Sequence, residues 1–243
     1  MGGCFYFIFF IDNYFQKAWI YILKQKFDIF ETFKKFKALI ENEKGLKIKY
    51  LRSDNEEEYC FKEFDEFFGE LEIQRQLTIL ETSQQNSMAK RFNRTLMKRV
   101  HSMMSTAKLD KRFWIEGAFI ACYLINRVST KFFGLKILEE LWSGKPVNYF
   151  HLRVFGCDTY MWILKEKRIK LDRNSRRCIF LDYAKRVKGY RLWDPLPTRS
   201  LLVEMLFLMK NIFKAPRKSK MMKPLLLLSF LMQVMRYKQS KYR

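Results

Sequence analysis

Two sets of side chains in this sequence are of types and spacings that could do chemistry. The first is a single carboxylate, Asp54, which follows an alternating segment directly. Carboxylates at the C-terminal ends of strands are common ligand positions in α/β sheets. On position alone, a loop aspartate capping a turn with Asn55 explains it better. The second is a run of cations, Lys90, Arg91, Arg94 and Lys98, repeating at helical intervals. Such a strip can track a phosphate backbone by charge and counterion release; a solvated helix face is an equally good account of it. The five cysteines (Cys4, Cys60, Cys122, Cys157, Cys178) form no CxxC pair, and His101 and His151 are the only histidines. This set does not suggest a zinc site, and it fits small apolar side chains in a reducing intracellular compartment.

The formal charge of +22 is unevenly spread over the 243 residues. Residues 195–243 hold eleven Lys/Arg and one acid, Glu204, so that this stretch supplies +10 and the rest of the chain +12. Residues 28–72 carry thirteen acids against eight bases, while residues 84–112 carry eight bases and one acid, Asp110. The body of the chain therefore has a local basic strip rather than a uniformly basic surface. Cys4 to Ile11 is apolar, but no basic segment precedes it and Asp12 ends it, so it reads as a buried strand rather than a leader. Leu225 to Leu231 is too short to span a bilayer.

The elements that must position these residues follow from periodicity. Residues 4–11 and 18–23 read as paired strands around a turn at Asp12-Asn13. Residues 28–43 read as an amphipathic helix with Ile29, Phe30, Phe33, Phe36, Leu39 and Ile40 inward, Asp28 as its cap and Gly45 as its stop. A strand over 46–52, a helix over 60–69 and a short strand over 72–78 complete an α/β layer pattern. The basic strip falls on a helix over 84–107 whose apolar stripe is Met88, Phe92, Leu96, Val100 and Met103. A further helix over 111–127 places Trp114, Phe119 and Tyr123 in the core. After Gly134 and the turn at Gly144 to Pro146, four short β segments appear: HLRVFG, TYMWIL, RCIFLDY and GYRLW, a small all-β unit over 151–194. The expected organisation is a core over 1–128, a linker over 129–150, the β unit over 151–194 and an irregular basic tail over 195–243.

Several of these segments, in order, resemble the integrases of copia-type long-terminal-repeat retrotransposons over residues 2–194. FIDNYFQKAWIYIL resembles the family's FIDDYSRKxWVYxL, LRSDNEEEY resembles LRTDNGGEY, and TSQQNSMAKRFNRTL resembles TPQQNGVAERMNRTL. FWIEGAFIACYLINR, LRVFGCDTY and KLDRNSRRCIFLDY also align with family segments. The resemblance implies a ribonuclease H-like core followed by an SH3-like β unit. It implies an Asp, Asp, Glu site holding two divalent ions, Mg²⁺ or Mn²⁺, which activate a water or a DNA 3′-hydroxyl against a phosphodiester.

Carried over residue by residue, the resemblance speaks against activity. Asp54 matches the second acid. The third, a glutamate, aligns with Lys90, with thirty-five residues between the two as the family has it. The first acid is expected upstream of Met1-Gly2-Gly3, and Asp12 belongs to a different family segment and is not that acid. A Glu-to-Lys change alters the site by two charge units. An ammonium about 4 Å from Asp54 gains on the order of 4 kcal/mol at an effective dielectric near 20, so Lys90 is expected to pair with Asp54 and fill part of the metal space. The family glycines after Asp-Asn are Glu56 and Glu57, its Pro and Gly around Gln-Gln-Asn are Ser83 and Ser87, and the Gly of its FLGY segment is Asp182.

The family pattern stops near residue 195. Leu202 to Lys210 can be encoded TTA GTC GAG ATG TTG TTT TTG ATG AAG; with one preceding A, the shifted frame reads ISRDVVFDE, close to the family's continuation. A one-nucleotide slip before residue 202 is therefore expected, and with it a tail that was not selected as protein; the alternative is a disordered basic tail that binds nucleic acid. The resemblance implies DNA as partner, through Gln85, Asn86, Arg91, Arg94 and Lys98, a possible homo-oligomer, no membrane, and a nuclear location if the protein functions. The alternatives are a non-catalytic nucleic-acid-binding or interaction module, and a remnant without function.

Overall fold

The computed structural model describes residues 6–53, 61–77, 87–130, 135–163, 165–171, 173–184, 189–195, 199–204 and 228–236. In chain order the elements are β1 (Tyr6–Asp12), β2 (Ala18–Leu23), α1 (Asp28–Lys44), β3 (Ile48–Ser53), α2 (Phe61–Glu70), β4 (Gln74–Leu77), α3 (Ser87–Ala107) and α4 (Trp114–Arg127). They continue with β5 (Ser129–Thr130), β6 (Lys136–Ile137), α5 (Leu138–Ser143), β7 (Asp158–Trp162), β8 (Ser175–Tyr183), β9 (Gly189–Asp194), β10 (Arg199–Glu204) and β11 (Leu228–Arg236). The mixed α/β class expected from the sequence is what the chain adopts. Two compact units divide it: residues 1–96, 122–147 and 225–243 form one, and residues 97–121 and 148–224 the other.

The first unit is built on a five-stranded sheet in the order β2-β1-β11-β3-β4. β1 is apolar at nearly every position because both of its faces are covered: Phe7 through Asp12 are all buried. Alternate residues point opposite ways. Phe10 stacks on Phe36 of α1, centroids 4.1 Å apart and planes 8° from parallel, while Phe9 meets Phe92 of α3 at 5.0 Å. α1 supplies Ile29, Phe33, Phe36 and Ile40 to the core on the first face, where Phe64 and Phe68 of α2 join them. Its inward stripe is narrower than expected, since Leu39 is 51% exposed and Phe30 half-buried. Gly45 ends the helix at φ +66° with its N–H on the Glu41 carbonyl. Asp28 is not the cap: it lies within the first turn, and its carboxylate accepts from the Gln25 N–H. The residue before the helix, Phe27, offers no side-chain bond.

β1 pairs with β2 on one side and with β11 on the other, so the edges of the sheet are β2 and β4. Within the segment expected to be irregular, both β10 and β11 are strands.

The second unit contains an antiparallel sheet in the order β10-β9-β8-β7. Three of the four β segments anticipated there are strands; HLRVFG (residues 151–156) is turn and loop instead. Gly156 explains why. It sits at φ +76°, and a Cβ there would lie 2.3 Å from the Ala107 Cβ, so only glycine fits the turn. The strand pairing slips between Phe180 and Asp182, a bulge at which Asp182 is buried and accepts from the Tyr183 N–H at 2.8 Å. Trp114 is buried as expected, whereas Phe119 and Tyr123 are only half-buried.

Candidate nucleic-acid interface

α3 has no acidic residue and five Lys/Arg. One side of the helix is used for packing: Ala89, Leu96 and Val100 are buried, and Phe92 is held against Phe9. At about 100° per residue, Lys90, Arg91, Arg94 and Lys98 fall within a single arc of about 100° on the opposite side. All four are exposed. Among the described residues none of them takes part in an ion pair. A rise of 1.5 Å per residue spreads the four cations over roughly 12 Å, a linear charge array of the kind that meets a phosphodiester strand. His101 and Ser102, one turn beyond Lys98, are exposed on the same side and extend the polar face. Their spacing of three and four residues from Lys98 already places them there in the sequence. The Thr95 hydroxyl, near the edge of the arc, is turned back to the Arg91 carbonyl at 2.9 Å.

Asp54, Gln85 and Asn86 lie outside the described residues, and with them the expected Lys90–Asp54 pairing. Lys90 itself is placed. It stands on the first turn of α3, exposed, and presents an ammonium where the resemblance calls for a carboxylate. An ammonium offers no lone pair to a hard cation, which takes oxygen ligands. Among the described residues no group of three or more His, Cys, Asp or Glu is gathered as a metal site.

Asp12 is committed to a turn. Its carboxylate accepts from the Phe15 and Tyr14 N–H groups, closing the β1–β2 turn with Gln16 at φ +60°. Burial raises its pKa to about 6 against those two hydrogen bonds and the nearby Lys44 charge. Beyond the turn is a cationic cluster around the buried Lys17 and Trp142 that the sequence did not indicate. Lys17 is paired with Glu139 at 3.0 Å and lies 5.2 Å from the ring centroids of both Trp19 and Trp142. The Lys44 ammonium sits 4.1 Å over the Trp142 ring and donates to the Trp142 carbonyl, and the indole N–H of Trp142 donates to Glu43 at 2.6 Å. Every member is bonded within the cluster, which makes it a structural knot.

Comparison with known proteins gives this arrangement its context. Residues 157–203 match the retroviral polymerase SH3-like domain, a span covering β7 through most of β10. The chain is 47% identical over 196 residues to the Retrovirus-related Pol polyprotein from transposon TNT 1-94 of Nicotiana tabacum, a match covering 81% of this chain and 15% of that protein. It is 34% identical over 185 residues to the corresponding polyprotein from transposon RE1 of Arabidopsis thaliana, covering 76% of this chain and 12% of the relative. The chain thus spans a small fraction of the curated relatives it matches. Among solved structures, an intasome of simian T-cell lymphotropic virus in complex with the PP2A regulatory subunit B56 gamma aligns with a TM-score of 0.45 at 14% identity, over 85% of this chain and 72% of that one.

Proposed function

Given that this chain belongs to the retrovirus-related Pol polyproteins of transposons, as an integrase-related segment, we propose that it contacts DNA through α3 and does not carry out strand transfer. The observation that carries this reading is one helix face holding two features together. Lys90 stands where the resemblance expects a glutamate, and Arg91, Arg94 and Lys98 continue from it as an exposed basic arc. The family role is DNA integration by metal-dependent phosphodiester cleavage and joining. A lysine cannot anchor a divalent ion in that role, but it adds to the attraction for phosphate. The same substitution thus removes a ligand and strengthens a contact. Gln85 and Asn86 would extend the contact at the start of the helix, Asp54 would remain as an isolated carboxylate, and Mg²⁺ or Mn²⁺ would not be held productively. A DNA partner implies a nuclear location, with self-association of the kind the resemblance implies.

The test is fluorescence anisotropy of the full chain with duplex DNA, alongside a strand-transfer assay in Mg²⁺ and in Mn²⁺. Binding that weakens with salt and is lost in Arg91→Glu/Arg94→Glu, with no joined product under either metal, is the expected result. Joined product from the unaltered chain would overturn the catalytic half of the proposal. Binding indifferent to the double substitution would overturn the contact half.

A further inference from the structure

The sheet of the first unit is assembled from two distant parts of the chain. β1 through β4 come from the first 77 residues, yet β1 and β3 are not bonded to one another. Between them lies β11, antiparallel to β1 from Tyr6↔Arg236 through Asp12↔Phe230, and parallel to β3 from Ile48↔Leu228 through Ser53↔Met232. A strand spacing near 4.8 Å makes the gap it fills about 9.6 Å wide, one strand's room and no more. The flanking strands are closed to water where they meet the core: Ile8 and Phe10 on β1, Ile48 and Leu51 on β3, each at most 1% exposed. Met232 stands opposite Phe10 in the register, is 2% exposed and belongs to the same core cluster. The segment LSFLMQVMR has no acid, and its one base, Arg236, is its last residue. Its composition thus fits a slot buried in the middle of a sheet.

All of β11's ladder partners are remote in sequence. Withdrawing it would leave β1 and β3 with rows of unpaired N–H and C=O groups facing each other within an apolar core, a costly state that any strand of suitable polarity relieves. We propose that the gap between β1 and β3 is a strand-acceptor site, and that Leu228–Arg236 of the same chain is its occupant. The sheet of the first unit is then continuous from β2 to β4 only when Leu228–Arg236 is docked, whatever role the rest of residues 195–243 has. The inference rests on sheet order and burial and stands independently of any contact with DNA.

Hydrogen exchange on the full chain tests it, with Met232→Leu and Met232→Asp beside the unaltered protein. Met232→Asp should speed exchange of the β1 and β3 amides at least tenfold while leaving β8 and β9 unchanged, and Met232→Leu should match the unaltered chain. Unchanged β1 and β3 protection in Met232→Asp would overturn the proposal. A measurement on folded protein guards against a variant that does not fold: in Tyr6→Cys/Arg236→Cys, a register pair, mild oxidation should link the two positions within one chain, as mapped by mass spectrometry at micromolar concentration. Failure to link them would count against the proposal. A link between two chains, with a dimer on gel filtration, would assign the slot to a second copy instead.

Discussion

The Lys17 ammonium lies 3.0 Å from the Glu139 carboxylate, with only 9% of the lysine side chain open to solvent. Arg127 approaches the same carboxylate at 3.7 Å. Burial lowers the Lys17 pKa, and Glu139 is the leading influence that raises it. Removing one member of such a pair leaves an uncompensated buried charge, whereas replacing both with apolar groups need not cost anything. Glu139→Gln should therefore destabilise the first unit by about 3 kcal/mol, and Lys17→Met/Glu139→Leu should recover most of that. Urea unfolding followed by tryptophan fluorescence reads both, since Trp19 and Trp142 flank the pair. A double variant as unstable as the single one would remove the ion pair as the cause.

Asp12 makes stability depend on pH in an unusual direction. Its folded pKa is raised, to about 6 from 3.8, so the folded state holds a proton that the unfolded chain has released across that window. Stability from this group is therefore greatest below about pH 4 and declines as pH rises through 6, by on the order of 3 kcal/mol. Asp12→Asn, which keeps an acceptor for the Phe15 and Tyr14 N–H groups, should flatten the curve between pH 4 and 6. Thermal melts of both proteins across that range provide the check; parallel curves would clear Asp12 of the effect.

How much of this was legible in advance depended on whether the signal was local. The unbroken apolar run of β1, the i, i+3, i+4 spacing of Ile29, Phe33, Phe36 and Ile40, and the stop at Gly45 are properties of a few neighbouring residues, and they correspond to what the chain forms. The basic arc on α3 was legible for the same reason. HLRVFG was misread because its apolar content matches a strand, while the deciding fact, Gly156 pressed against Ala107, lies far off in sequence. β11 was invisible because its register is set by β1 and β3, at the other end of the chain. The Lys17 and Lys44 cluster was invisible because Lys17 becomes buried, and Lys44 is drawn onto an indole, only through Trp142 and Glu139.

Gly156 offers a sharp substitution. Gly156→Ala combines a left-handed φ of +76° with a Cβ placed 2.3 Å from that of Ala107, so either the turn or α3 must move. Positive-φ strain and overpacking together should cost on the order of 3 kcal/mol. Gly156→Ala/Ala107→Gly should recover part of it, because the double change removes the clash and leaves the strain. Denaturant midpoints of the two variants give the comparison, and an alanine at 156 that costs nothing would show that the close approach is not there.

The salt dependence of DNA binding gives the α3 reading a number. Each phosphate neutralised contributes about −0.9 to the slope of log Kobs against log[salt] on duplex DNA. If Lys90, Arg91, Arg94 and Lys98 each neutralise one phosphate, the helix contributes a slope of roughly −3.6. Arg91→Gln/Arg94→Gln should then shallow the measured slope by about 1.8 and weaken binding alike on unrelated sequences, as contacts to backbone rather than base do. Lys90→Glu should weaken binding further for one residue changed, because it replaces attraction by repulsion. The 195–243 segment carries +10 of the chain's charge and could bind DNA by itself. The slope difference between variant and unaltered chain isolates the helix from that background, because the segment is common to both. A slope that stays the same in Arg91→Gln/Arg94→Gln would transfer the whole of the binding to that segment and leave α3 as a solvated face.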